Sequence, residues 1–285
     1  MVTDIVGVLN TASSLFIVAT GLTLVFGALQ LINLAHGSFY MYGAFLTTTL
    51  VAASTPYFWL ALVVSPLLAG AMGFAVEVVV LRRLYGREHL SQLVATYALL
   101  LIFADIALQV WGTGTRSVNT PAILNGRFSI AGAAVPVYDV LVVGMAVLVG
   151  LGLWLLLGHT SLGWKIRASV DDPEVLAASG VNVRLLYTLV FSLGAFLAGL
   201  SGVVVAPQVA VGPGIGVEIL VAAFIVAVIG GLGSVVGAAI GAVVIGIVDT
   251  LGAVYVPSWS STFIYALMII VLAVRPTGLL GRRER

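Results

Sequence analysis

Cysteine is absent from this 285-residue chain, and charge is scarce: 12 lysines and arginines against 11 aspartates and glutamates, 8% of all residues. The first absence excludes disulfides, thiolate-bound zinc and thiol chemistry. The three histidines, His36, His89 and His159, lie far apart and form no metal-ligand spacing. No nucleophile is grouped with a base and an orienting acid, so an intramembrane enzyme finds no support. The nearest approach to a phosphate loop, Gly158-His159-Thr160-Ser161-Leu162-Gly163-Trp164-Lys165, lacks the Gly-Lys-Ser/Thr core and follows no predicted strand. If ATP drives this protein, another chain must bind it. No cofactor is implied. The start, Met1-Val2-Thr3-Asp4, lacks the basic region of a cleavable signal peptide, so the first apolar run is expected to be retained.

Apolar side chains are what the sequence has in excess, at 61% of residues and a mean hydropathy of +1.20. A soluble domain could not hide that much apolar surface. Apolar runs of roughly 20 residues, enough to cross a hydrocarbon core of about 30 Å, recur along the chain. They fall near 6–28, 37–54, 58–81, 91–111, 136–157, 186–206, 217–231, 235–255 and 260–274. Alternating ten-residue strands of a transmembrane barrel are missing. The expected fold is all-α: a polytopic integral membrane protein, one domain over residues 1–285, a bundle of eight or nine transmembrane helices with a short cytoplasmic coupling helix. Trp59, Trp111, Trp154, Trp164 and Trp259 fall near span ends and read as headgroup anchors.

Basic residues set the orientation. With the 165–184 passage cytoplasmic, alternation places Arg82, Arg83, Arg87, Lys165, Arg167, Arg184, Arg275, Arg282, Arg283 and Arg285 inside, leaving Arg116 and Arg127 outside. The N-terminus is then external and the C-terminus cytoplasmic. This parity fails by one crossing if the 217–231 run does not traverse the bilayer.

The polar passage Lys165–Arg184 carries a helix signature. Asp172 is a good N-cap, Pro173 suits the first helical position, and Glu174 places negative charge at the positive end of the helix dipole. Gly180 is a natural left-handed stop. A helix of about two turns is marginal alone in water, so it is expected to lean on a partner. An ordinary interhelical loop with one helical turn is the alternative.

Two irregular segments interrupt the apolar runs. One contains Gln30, Asn33 and His36; the other contains Gly230, Gly231 and Gly233 in Gly230-Gly231-Leu232-Gly233-Ser234. Irregular backbone at membrane depth survives only under a cover of protein or beside a water-filled cavity. Breaks in comparable places of two halves point to a duplicated transporter. Asn33 and His36, three apart, would share a helix face. These six residues are the candidate pathway; the alternative for the first group is satisfaction of the break's own backbone. The small-residue ladders Gly233/Gly237/Gly241 and Gly194/Ala198/Gly202 predict close packing within the chain, with a dimer seam as the alternative. Glu77, Asp105 and Asp249 fall within apolar runs with no lysine or arginine at matching depth, and Gln208 and Glu218 stand near an external mouth. A carrier driven by protons or sodium would use Asp105 or Asp249 as its coupling carboxylate.

Gly21-Leu22-Thr23-Leu24-Val25-Phe26-Gly27, running into Asn33-Leu34-Ala35-His36-Gly37-Ser38-Phe39-Tyr40-Met41-Tyr42-Gly43-Ala44, resembles the opening of a permease subunit of branched-chain amino acid ABC transporters. So do Gly180-Val181-Asn182, the segment from Gly230 to Ala238, and Arg275-Pro276-Thr277-Gly278-Leu279-Leu280-Gly281. The chain is most similar to the shorter, H-type permease. The resemblance implies a conduit in a bacterial plasma (inner) membrane, in contact with membrane lipid. Its partners would be a second permease subunit, two cytoplasmic ATPase subunits and an extracytoplasmic solute-binding protein, with no nucleic acid. In that frame Asp172, Pro173, Glu174, Ala177, Ala178 and Gly180 form the coupling helix, docking in a groove of an ATPase. The segment departs from the Glu-Ala-Ala loop of other importers, since Glu174 is separated from Ala177-Ala178. The resemblance leaves the substrate open among branched-chain amino acids, urea, short amides and other amino acids.

Overall fold

The computed structural model describes residues 1–281. Arg282, Arg283 and Arg285, counted above on the cytoplasmic side, lie outside the described residues. All nine apolar runs are helices: α1 (Val2–Leu29), α2 (His36–Ala53), α3 (Tyr57–Val79), α4 (His89–Trp111), α5 (Val137–His159), α8 (Val183–Val205), α9 (Ile215–Gly230), α10 (Val235–Tyr255) and α11 (Ser260–Val274). Two shorter helices, α6 (Ser161–Asp171) and α7 (Pro173–Ala178), join α5 to α8. The polar passage predicts one helix from its sequence and the structure holds two; α6 is the addition. A small antiparallel hairpin, β1 (Arg127–Ile130) with β2 (Ala133–Pro136), was also unforeseen. Its turn places Ala131 and Gly132 at positive φ.

The centre of the bundle is α1, α2 and α8, with α3, α9 and α10 packed around them. Both ladders of small residues are spent inside the chain. Gly194 and Gly202 abut α1 and α2, while Gly233, Gly237 and Gly241 abut α1 and α9. Lipid gives helices no hydrophobic reason to associate, so close backbone approach is what holds such a core.

Contacts at the two ends agree with the alternation of crossings. At one end Arg116 pairs with Val211 in an isolated bridge, and Asp139 accepts from Gln208 at 3.2 Å. This is the hairpin end. At the other, the elbow end, Glu77, Arg82 and Thr188 meet, and Leu279 N–H donates to the Ile229 carbonyl at 2.8 Å.

Seven of the helical segments are long and apolar enough to cross a membrane by themselves; α2 and α9 are not among them. Each is one part of a broken crossing. The His36 ring reaches the carbonyl of Val18, well inside α1, so α2 starts within the bundle and not at its end. The chain returns to that depth through the irregular stretch 30–35. The first turn of α9 touches the same place: a Cβ on Gly216 would lie 2.9 Å from the Gly37 carbonyl oxygen and 3.3 Å from Met41 Cβ. Residues 206–214, in which Ala206 and Val211 are fully buried, complete that crossing from the hairpin end. The 217–231 run therefore belongs to a passage of the chain from the hairpin end of the bundle to the elbow end. The second-half counterpart of the Gln30–Ala35 break is 206–214, not the 230–234 glycines to which the sequence reading assigned it.

Candidate functional site

The first break satisfies its own polar groups. Asn33 is not on a helix face with His36; it lies in the turn before α2, and its Oδ1 accepts from Ala35 N–H at 3.1 Å. His36 N–H closes the turn on the Asn33 carbonyl at 3.2 Å. The His36 ring is wholly buried, and its Nε2 lies 3.0 Å from Val18 O. A carbonyl only accepts, so Nε2 carries the proton, leaving Nδ1 as an acceptor without a partner among the described residues. Gln30, left-handed at φ 51°, ends α1. It stands apart from the other two, in a cavity of about 470 Å³ shared with Phe26, Ile32, His89, Gln92 and Leu93.

Gly230, Gly231 and Gly233 are at the elbow end, in the tight reversal between α9 and α10. A helix leaves its last carbonyls unpaired, and here the chain's own tail takes them. Leu279 N–H donates to Ile229 O at 2.8 Å and Leu280 N–H to Gly230 O at 3.0 Å. Gly231 (φ +107°) and Gly278 (φ +77°) lie directly against one another. The structure thus brings two motifs of the sequence into one contact, the glycine break and the Pro276–Gly281 tail. It brings neither to Asn33 and His36.

The polar passage forms an exposed elbow. Thr160 caps α6, its Oγ1 accepting from Gly163 N–H at 3.3 Å. Asp172 caps α7, with Oδ1 accepting from Glu174 N–H at 2.9 Å and Val175 N–H at 3.0 Å. Gly180 has φ +84°, and Asn182 caps α8. Nothing on α7 is buried, and Val175 is 62% exposed. Trp164, 67% exposed, carries the Arg167 guanidinium 4.7 Å over its ring. The elbow thus presents a short helix capped at its start, with an uncovered apolar side chain.

Glu77 corrects a sequence expectation. It has a basic partner: Arg82 Nη2 donates to Oε2 at 3.1 Å, because α3 stops at Val79 and a 3₁₀ turn, Leu81–Arg83, folds the arginine back. Thr188 at the start of α8 donates to the same oxygen at 2.7 Å. Trp111, the last residue of α4, is stacked 5.0 Å from Phe45 and donates its Nε1–H to Thr49 Oγ1 at 2.8 Å. Glu218 and Asp249 share a cavity of about 200 Å³ with Thr11, Ser261 and Tyr265. Gln208 lies elsewhere, donating to Asp139. Asp105, on α4, pairs with Gln109.

Residues 4–272 match the family model described as the permease component of the branched-chain amino acid transport system. The high-affinity branched-chain amino acid transport system permease protein BraD of Pseudomonas aeruginosa is 32% identical, over 99% of this chain and 96% of its own length. The corresponding LivH of Escherichia coli is 29% identical, over 95% and 92%. The ribose import permease protein RbsC of Escherichia coli is 29% identical, over 95% and 84%. No solved structure matches the chain.

Proposed function

Since the chain belongs to the family of permease components of branched-chain amino acid transport systems, we propose that it is the conduit subunit of an ATP-driven importer of leucine, isoleucine and valine. The observation that carries the ATP-driven part is the elbow, whose capped α7 buries none of its residues and packs only Leu176 against the core. A coupling helix needs rigidity, caps and a small-residue face, which Asp172, Pro173, Glu174, Ala177, Ala178 and Gly180 supply. Closure of two cytoplasmic ATPases would press on α7. The push would pass through Asn182 into α8, at the centre of the bundle, and rock the conduit between its outward- and inward-facing forms.

The elbow end is the cytoplasmic end in this reading. Seven of the nine described basic residues gather there, Arg82, Arg83, Arg87, Lys165, Arg167, Arg184 and Arg275, against Arg116 and Arg127 at the other. A second permease completes the conduit and an extracytoplasmic binding protein delivers the substrate. A permease named for ribose is similar over nearly the whole chain, so the choice of substrate rests largely with the delivering protein. Few charges and mostly apolar walls suit a short aliphatic amino acid, whose zwitterionic ends need only a few polar groups.

The test is reconstitution in vesicles. With the second permease, the ATPases and the binding protein, leucine uptake should require ATP. Accumulation by this chain alone under an ion gradient would make it a secondary carrier and sink the proposal.

A further inference from the structure

The larger of the two cavities carries polar groups that the fold leaves unused. It holds about 470 Å³ and lies at the elbow end, between the last residues of α1 and the first of α4. Phe26, Ile32 and Leu93 form its apolar wall; Gln30, His89 and Gln92 are its polar residues. Gln92 belongs to the face by which α4 is fastened to its own chain, with Thr96, Leu100 and Ala107. Thr96, one turn further in, donates to Ile32 O at 3.3 Å and ties the two walls together. Protein therefore backs this cavity.

Two independent observations give it the character of a binding site. The first is the free start of α4. Glu88 makes no side-chain cap, and its carboxylate is not among the walls. The N–H groups of Ser91 and Gln92 fold back on the Glu88 carbonyl, while those of His89 and Leu90 have no acceptor among the described residues. Such an N-terminus favours a carboxylate or another anion. The second observation is Gln92, only 9% exposed. Both its amide hydrogens are spent, on Leu84 O and Arg87 O at 3.2 Å each. That leaves Oε1 as an acceptor without a partner among the described residues. An unmade bond at a buried group is costly, and a ligand bearing N–H groups relieves it. Gln30 adds a second amide. It ends α1 at φ 51°, where glycine is the usual residue, and what the glutamine contributes there is a polar side chain on the cavity wall.

Donors for an anion, acceptors for a cation and an apolar wall beside them suit a zwitterion with a short aliphatic side chain. No lysine or arginine lines the cavity, and anionic lipid headgroups are held by such residues. We propose that this cavity is a product site at the cytoplasmic mouth, holding the amino acid as it leaves the conduit. The carboxylate lies at the start of α4, the ammonium group on Gln92 Oε1 and the Gln30 amide, and the side chain on Phe26, Ile32 and Leu93. The inference rests on the importer reading above, which supplies the side and the substrate class.

Because the chain has no cysteine, single cysteines on the apolar wall report occupancy. Importers carrying Ile32→Cys or Leu93→Cys are reconstituted in vesicles with the ATPases facing the medium, and a membrane-impermeant thiol reagent is added there. Both cysteines should react. Leucine in the medium, at twice its half-saturating concentration, should slow labelling about threefold by mass action. The keto acid of leucine, which lacks the ammonium group, and isoamylamine, which lacks the carboxylate, should not protect at that concentration. Gln92→Leu combined with Leu93→Cys should abolish the protection. Unreactive cysteines would mean a sealed cavity and overturn the proposal. Labelling indifferent to leucine, or equal protection by the two analogues, would do the same. Shielding that depends on phosphatidylglycerol or phosphatidylethanolamine in the vesicles and not on leucine would assign the cavity to a headgroup. Failure of the unsubstituted importer to take up leucine would instead remove the functional reading, and protection by leucine is read in the same vesicles whatever the uptake.

Discussion

Glu77 is wholly buried, while Arg82 is one-third exposed, and the two halves of this pair are therefore unequal. Arg82 without Glu77 turns to water. Glu77 without Arg82 keeps the Thr188 hydroxyl but no cation, and stays buried and poorly compensated. Removing one partner of a fully buried pair costs about 3–5 kcal/mol, and the exposure of Arg82 brings the expectation here to about 2 kcal/mol. Arg82→Ala should thus lower the thermal midpoint of the detergent-solubilised protein by several degrees, by more than Glu77→Gln, in which an amide still meets the hydroxyl and the guanidinium. Adding Glu77→Gln to Arg82→Ala should recover part of the loss. A double variant less stable than Arg82→Ala would show that the arginine packs and does not neutralise. None of this was legible in the sequence, because Glu77 and Thr188 are 111 positions apart and only the fold places Arg82 between them.

At the scale of an element, α7 is held by its ends. The Asp172 carboxylate satisfies two backbone N–H groups, and Gly180 turns the chain at φ +84° with open space around it. Gly180→Val therefore meets no clash; its penalty, about 1–2 kcal/mol, is the left-handed conformation itself. Glu174→Lys leaves the fold intact and reverses charge where the dipole is positive, a loss of roughly 0.3–1 kcal/mol. Both should leave membrane insertion normal and weaken the stimulation of ATP hydrolysis by substrate-loaded binding protein several-fold. Full stimulation in both would return α7 to the status of a plain connector. Caps, a proline and a glycine are local signals, which is why α7 and the nine apolar runs could be read from residues alone. The neighbouring α6 could not: its Trp164, Lys165 and Arg167 stand among apolar residues without a long period, and its burial of Ile166 depends on the bundle. The β1–β2 hairpin was hidden for a similar reason, since its turn uses Ala131-Gly132 where asparagine or aspartate before glycine is the usual mark.

For the whole molecule, the meeting of α2 and α9 decides how the halves fit. Two helices that start inside the bundle point their first turns at one contact, Gly37 on Gly216, and the irregular stretches 30–35 and 206–214 supply the rest of each crossing. The sequence displayed both stretches as breaks. It could not show that the second runs back into the bundle, because Pro207, Gly212, Pro213 and Gly214 read equally well as an exposed loop; the approach of Gly216 to Gly37 tells them apart. The contact is tight on both sides and tighter at Gly37. A Cβ on Gly37 would lie 2.9 Å from Leu220 Cβ and closer still to the Gly216 carbonyl oxygen, so backbone would have to move, whereas a Cβ on Gly216 meets its nearest atom at 2.9 Å. Interiors packed to crystal-like density transmit such a shift and do not absorb it. Overpacking of this kind typically costs about 1–3 kcal/mol, so Gly37→Ala should be the more damaging of the two, lowering both the yield of folded protein and leucine uptake. Gly216→Ala should retain the fold with a smaller loss of uptake. Equal tolerance of both substitutions, measured by thermal midpoint and by uptake, would mean that the two half-helices separate during the working cycle and that the closed contact is one of its stations.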